Sequence, residues 1–323
     1  MGYLAYFERV IYAYLINKNS HLSFWHGEPE VNEKASLTEL GEYYMPFLYK
    51  ANYQGPFDEK GIPILDYKGK VGKQYNPIAI AQYGLGHYNL YKRTSNDKYF
   101  NIFLKQANWL VEHLETNLKG LHVWNHHFDW EYRDPLKSPW YSALSQGQGI
   151  SVLARAFKET QQKEYLGAAQ KAFESFKYDI FEGGVKYTDK NGYIWFEEAI
   201  VTPPTHILNG FLWSLWGIYD YYLLTKEKEA EELFEKSIET LKENLRLYDN
   251  GFWSLYEFSG TKLKMIASSF YHSLHIIQLR VMYKLTKEKL FNNYANKWNE
   301  YRRKILNRNL ALIYKAIFKL LYY

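Results

Sequence analysis

Between residues 77 and 305 a pair of helix-spaced apolar stretches recurs four times, and each of the first three pairs is followed by a short excursion rich in aromatic, Gly and Asn residues. Pro77 can open a helix, and Ile78, Ala81, Gln82, Leu85 and Tyr88 follow it at helical spacing. A second helix fits Asn96–Leu118, and His122–Tyr132 reads as extended. The pattern returns as helices over Ser138–Phe157 and Gln162–Phe176 with a hairpin-like excursion over Phe181–Glu198, whose turns are marked by Gly183-Gly184 and Asn191-Gly192. It returns again over Pro204–Leu224 and Lys226–Leu247, followed by an extended Tyr248–Phe258, and in weaker form over Ser268–Leu285 and Lys287–Ile305. The period of roughly 65 residues exceeds that of the common solenoid repeats, which run about 20–50 residues. A ring of helical hairpins satisfies such a pattern. The expectation is a mainly α fold, an incomplete (α/α) toroid or barrel, with short β-hairpin excursions gathered on one face and a site where they converge. Residues 1–73, rich in Gly and Pro, read as an N-terminal helix plus a small strand- and turn-rich segment; 74–305 read as the toroid, and 306–323 as a separate basic amphipathic helix.

Of the aromatic residues, 32 Tyr, 19 Phe and 10 Trp, the larger share is expected to fill a helical core, and the rest suit a groove in which Tyr and Trp stack on sugar rings. With no cysteine, the chain has neither disulfides nor thiolate-ligated metal. A net charge of +5 accommodates an anionic ligand, and no nucleic-acid-binding signature accompanies it. The apolar run Tyr3–Ile16 contains Glu8 and Arg9 and is too short for a membrane span; without a signal-peptide pattern, the expected location is cytoplasmic. From Tyr301 to Tyr323 there are six Lys and Arg residues and no acid, interleaved with Leu, Ile and Phe. Such a helix either lies on an anionic membrane surface, giving a peripheral attachment, or packs its apolar face on the domain.

The inner helices of the expected ring begin with polar residues unusual on buried faces: Asn76 and Gln82; Tyr141, Gln146 and Gln148; His206 and Asn209; Tyr271, His272 and His275. One such residue is commonly a cap or a satisfied core group, but four sets in register point to a shared mouth. The adjacent acids Glu197 and Glu198 follow two aromatics, and for Glu197 a solvated turn is the expected setting.

The segments YNPIAIAQYGLGHY (75–88), WYSALSQGQGISVLARA (140–156), WFEE followed by PPTHILNGF (195–211) and FYHSLHIIQL (270–279) occur in an order that resembles the D-glucuronyl C5-epimerase family, over roughly residues 70–300. The resemblance implies inversion at C5 of glucuronate units, giving L-iduronate, in an acidic polymer such as heparosan, without metal, nucleotide or other cofactor. It places Glu198 on the family's catalytic glutamate, Tyr256 and Tyr271 on two of its tyrosines, and Gln82, Tyr83, Tyr141, Gln146, His206, Asn209 and His272 around the substrate. A homodimer is compatible with this reading. Two departures stand out. Ala199 occupies the position of the tyrosine that pairs with the glutamate, and Phe258 and Ser259 stand where some relatives carry an arginine. Three explanations of Ala199 stay open: another group such as Tyr256, His206 or His272 supplies the second proton, the uronate differs, or the chain binds glycan without turnover. A lyase that expels the C4 substituent is a further alternative. A hydrolase would need a remote acid such as Asp129 or Glu131.

Overall fold

The computed structural model describes residues 24–132, 134–258 and 260–322; the apolar run Tyr3–Ile16 and Ser259 lie outside them. After a short helix α1 (Leu48–Ala51) and an antiparallel pair β1 (Leu65–Asp66) and β2 (Lys73–Gln74), four helical hairpins follow. They are α2 (Pro77–Thr94) with α3 (Asp97–Glu112), α4 (Ala143–Thr160) with α5 (Lys163–Glu174), α6 (Leu208–Thr225) with α7 (Lys228–Asn244), and α8 (Ser269–Thr286) with α9 (Lys289–Arg303). A last helix, α10, spans Ile305–Tyr322. Two excursions carry antiparallel ribbons, β3 (Glu115–Thr116) with β4 (His122–Val123), and β5 (Lys186–Thr188) with β6 (Ile194–Phe196), the latter pairing Tyr187 opposite Trp195. The fold is mainly α, as the sequence implies, and α2, α4, α6 and α8 pack in succession as the inner layer of an incomplete toroid.

Inner and outer helices differ for a visible reason. The outer helix α7 buries Ala230, Leu233, Phe234, Ser237, Thr240, Leu241 and Asn244, one stripe at 3–4-residue spacing. The inner helices α4 and α6 are buried nearly all round: every residue from Ala143 to Ala156, and from Leu208 to Ile218. Their backbones meet at Gly147 and Gly217, where a Cβ on Gly217 would lie 2.3 Å from the Cα of Gly147. Only glycine permits that approach.

Each hairpin reverses through the same turn. Thr94, Thr160, Thr225 and Thr286 each donate a hydroxyl to the carbonyl four residues back, and each hydroxyl oxygen accepts the amide two residues on. The residues between, Ser95, Gln161, Lys226 and Lys287, are left-handed, with φ between 53° and 61°. Each donates its amide to a carbonyl at the preceding helix end, closing that helix.

Three helix boundaries differ clearly from the sequence reading. The helix expected from Ser138 begins at Ala143, after the Ser142 side chain caps it by accepting the Ser145 amide. The helix expected over Asn96–Leu118 ends at Glu112, because the Lys119 and Leu121 amides donate to the Asn117 side chain and turn the chain into the β3–β4 ribbon. The helix expected from Pro204 begins at Leu208, because His206 is left-handed (φ 51°) and its amide is engaged by Glu197.

Residues 41–51 run across the inner helices and are stitched to them. Arg155 on α4 donates to Asp220 on α6 at 2.6 and 3.3 Å, and to the Gly41 carbonyl at 2.9 Å. Tyr44 donates to the same Asp220 at 2.8 Å, and Asn89 on α2 accepts from the Tyr43 amide and donates to the Met45 and Pro46 carbonyls. Arg155 and Asp220 are both fully buried. Helix α10 buries Ala311 and Phe318, and Lys315 donates to the Ile266 carbonyl at 2.8 Å, yet Leu306, Leu310, Ile313, Ile317 and Leu320 on its other side are exposed. One face of this helix thus packs on the domain, and the other stays bare.

Removing one partner of a buried pair leaves the other charge without compensation. Asp220→Ala is expected to lower the unfolding free energy by about 3–5 kcal/mol, read from chemical denaturation. A loss below about 1 kcal/mol would show that the pair does not hold the segment 41–51 in place.

Candidate active site

One cavity of about 460 Å³ occupies the mouth of the inner ring, a size suited to a small ligand or a short stretch of a chain. All four inner helices line it near their N-termini, through Ile78, Leu144, Asn209 with Trp213, and Phe270, Tyr271 and Leu274. The segment 25–50 forms one wall. The loop after β4 supplies Phe128, Trp130 and Trp140, and Glu198 and Tyr256 enter from the excursions after β6 and before α8. The polar-and-aromatic lining suits a sugar, whose faces stack on rings while its hydroxyls find polar groups.

Glu198 is set by alternation. Just past β6 the two adjacent acids take opposite sides of the chain. Glu198 lines the cavity, and Asn209 donates to its Oε2 at 3.0 Å. Burial, aided by the neighbouring Glu197 charge and opposed by the Asn209 hydrogen bond, pushes its pKa from 4.5 up to about 8. Glu198 therefore carries a proton at neutral pH. Gly210, on α6 behind it, leaves the room: a Cβ there would fall 2.3 Å from Glu198 Oε2.

Glu197 points the other way, and here the expectation of a solvated turn is corrected. It is fully buried, accepting from the His206 amide at 3.1 Å and facing His206 Nδ1 at 2.5 Å, while its own carbonyl accepts the Ala143 amide. The Glu198–Asn209 pair faces the cavity while the Glu197–His206 pair braces the loop. The same alternation governs the segment before α8. Tyr256 lines the cavity and its neighbour Glu257 is buried, accepting from the Tyr132 hydroxyl. Tyr256 and Tyr271 meet edge to face, ring centroids 4.9 Å apart. The Tyr271 amide donates to the Ser268 cap of α8.

Of the ten candidate residues from the sequence, Glu198, Asn209, Tyr256 and Tyr271 share this cavity, and Asn76 joins them while capping α2. The other six are engaged within the fold. Gln82 is buried and donates to Gln148 at 2.9 Å. Tyr83 packs in a cluster with Phe24, Leu65 and Phe128. Tyr141 donates to the Gly183 carbonyl at 2.9 Å, and Gln146 ties the Trp124 amide to the His122 and Ala172 carbonyls. His206 stacks on Trp195 at 4.3 Å, and His272 is buried between Ser254 and the Trp298 carbonyl. Asp129 is paired to Lys137 outside the cavity.

Ala199 is 3% exposed and packs with Leu136, Val201 and Ile207 against Trp130, Trp140 and Tyr256. Among the described residues no group of three or more His, Asp or Glu side chains is gathered as a metal site. The sequence reading missed Lys50, His26 and the three cavity-lining rings of Phe128, Trp130 and Trp140. The last were signalled by the alternating aromatics of FDW (128–130) and by Trp140, just ahead of an inner helix.

Residues 117–300 match the family model described as D-glucuronyl C5-epimerase C-terminus. The chain belongs to this family. It is 34% identical over 220 residues to the D-glucuronyl C5-epimerase of Caenorhabditis elegans, covering 64% of this chain and 35% of the worm protein, so it spans about a third of that relative's length. An uncharacterized protein of Methanocaldococcus jannaschii is 28% identical over 223 residues, covering 64% of this chain and 70% of its own. Among solved structures, a D-mannose isomerase superposes with a TM-score of 0.50 at 10% identity, covering 82% of this chain and 67% of that one, a likeness of fold. The matched family region contains Glu198, Tyr256 and Tyr271, and its cavity is completed by residues 25–50, which lie ahead of it.

A carboxyl held protonated in the fold and ionised in the unfolded chain makes stability fall as pH rises from the unfolded pKa to the folded one. Replacing Glu198 by Gln removes that dependence. Glu198→Gln is expected to gain about 2–4 kcal/mol of stability relative to the parent protein between pH 5 and pH 8. Parallel stability–pH curves for the two proteins would show that Glu198 titrates normally.

Proposed function

We propose that this protein is a polymer-level uronate C5-epimerase, converting D-glucuronate to L-iduronate units within an acidic polysaccharide. The observation that carries this reading is the gathering of Glu198, Tyr256 and Tyr271, from three separate segments, in one aromatic-lined cavity of a chain from this family. The C5 hydrogen is α to a carboxylate and weakly acidic, because the electron pair left behind delocalises onto a group already negative. Inversion needs a base on one face to take that proton and an acid on the other to return one to C5. Glu198, protonated at neutral pH, is a donor. A phenol oxygen of the Tyr256–Tyr271 pair is then the proton-transfer group for the other face, and the reverse reaction exchanges the roles.

A second reading, a glycan-binding protein without turnover, is favoured by Ala199. A methyl group can neither move a proton nor donate a hydrogen bond, and the rings of Trp130, Trp140 and Tyr256 already pack against its cluster. Incubating the purified protein with a glucuronate polymer in heavy water separates the readings. Deuterium at C5 together with iduronate in intact chains supports the epimerase, with Tyr271→Phe expected to lower exchange by at least about a hundredfold. Binding without deuterium supports the second reading, and ultraviolet-absorbing chain ends would reveal a lyase.

The bare face of α10 supports attachment to an anionic lipid surface. Arg302, Arg303, Lys304 and Arg308 are exposed beside it, and a second copy of α10 would bring repelling like charge. Removing residues 305–323 is expected to weaken binding to vesicles containing anionic phospholipid by at least about tenfold, with the helical signal of the remainder retained. Undiminished vesicle binding would overturn the attachment.

A further inference from the structure

Lys50 sits where a lysine is costly. It lies on the short helix α1 and is buried, 8% exposed. Its ammonium donates to the Phe24 carbonyl at 2.9 Å and stands over the rings of Phe24 and Trp25 at 4.4 and 4.9 Å. No carboxylate among the described residues pairs with it. Burial pushes its pKa from 10.5 down to about 7, the signature of a cation without a partner. A buried ammonium is ordinarily paired or replaced, because desolvation without compensation destabilises the fold.

The same Lys50 lines the cavity with Glu198, Tyr256 and Tyr271. It is the one Lys or Arg among the described residues that do so. His26, beside it on the same wall, is pushed by burial and by Lys50 down to about 4 and is neutral. Among the described residues, the cavity therefore holds one cation without a paired carboxylate, on the wall contributed by residues 25–50.

We propose that Lys50 is the substrate-carboxylate site: its ammonium receives the carboxylate of the uronate unit whose C5 is presented to Glu198 and the two tyrosines. The proposal rests on the glucuronate reading of the cavity and names the group that recognises the acid. An incoming carboxylate supplies the counter-charge that the fold withholds. During proton abstraction the second negative charge accumulates on that same carboxylate, so a cation placed there stabilises the developing charge as well as the ground state. The anion becomes part of the site, and the unliganded fold bears the cost of the isolated charge.

The test compares two ligands that differ only in this group: a glucuronate-containing oligosaccharide and its carboxyl-reduced counterpart, with glucose in place of glucuronate. Affinities are measured by calorimetry on the full chain. The parent protein is expected to prefer the acidic ligand by at least tenfold. Lys50→Met is expected to lose that preference while binding the reduced ligand as before, and its melting temperature is expected to equal or exceed the parent's. Lys50→Arg is expected to retain most of the preference, and Lys50→Gln serves as a second neutral variant should the methionine protein not fold. A parent protein that does not discriminate, or a neutral variant that discriminates undiminished, overturns the proposal. Lost preference together with a lowered melting temperature and weakened binding of both ligands identifies a structural lysine and also overturns it. Because the readout is binding, it is independent of turnover. A preference that vanishes in Lys50→Met, in a protein showing no C5 deuterium exchange, would leave the carboxylate site standing and remove the epimerase reading instead.

Discussion

The buried pair of Arg155 and Asp220 is the joint on which the site's architecture hangs. It bridges two inner helices, and its remaining valences are spent on the segment that crosses them, through the Gly41 carbonyl and the Tyr44 hydroxyl. That segment brings Met45, Phe47 and Lys50 to the cavity. A guanidinium suits the task because its planar fork serves a carboxylate and a backbone carbonyl at once, which a lysine ammonium does less well. The pair is better understood as fixing the position of a wall than as a source of net stability, since burying two charges costs much of what their attraction returns.

Around the cavity the chain separates chemistry from bracing by the simplest available means, sending adjacent side chains to opposite sides. Glu197 and Tyr132–Glu257 hold loops in place from behind, while Glu198 and Tyr256, their immediate neighbours in sequence, face the ligand space. Gly210 completes the arrangement by leaving α6 bare beneath Glu198. The carboxyl is thus desolvated by close packing on the protein side and accepts a hydrogen bond from Asn209.

Much of the architecture was legible in the sequence because it rests on periodicity, which needs no knowledge of partners. The helical hairpins and their order, the Phe181–Glu198 hairpin and the Pro77 start all follow from spacing and turn residues. The site was harder to read. Polar residues at inner-helix starts look alike in sequence whether they face a ligand or a neighbouring backbone. Gln82, Gln146 and His272 find their partners on other helices and excursions, tens of residues away, and nothing local announces it. Glu197 misled for the converse reason: two adjacent acids look like a solvated turn until the strand geometry buries one of them. Lys50 was invisible because a lone lysine in a Gly- and Pro-rich stretch is ordinarily a surface residue, and only the tertiary position of α1 makes it otherwise.

The four threonine-closed reversals lie at the C-terminal ends of the inner helices, each about 27 Å of helix away from the end that meets the cavity. The protein therefore has a uniform floor and a variable ceiling. At the floor each inner helix is joined to its outer partner by the same repeated turn. The ceiling, built from three excursions of unequal length and a crossing segment, can carry a methyl group at Ala199 or a buried lysine at Lys50 without disturbing how the ring is held. Ala199 and Lys50 are both ceiling features, and the fold that carries them need not register either.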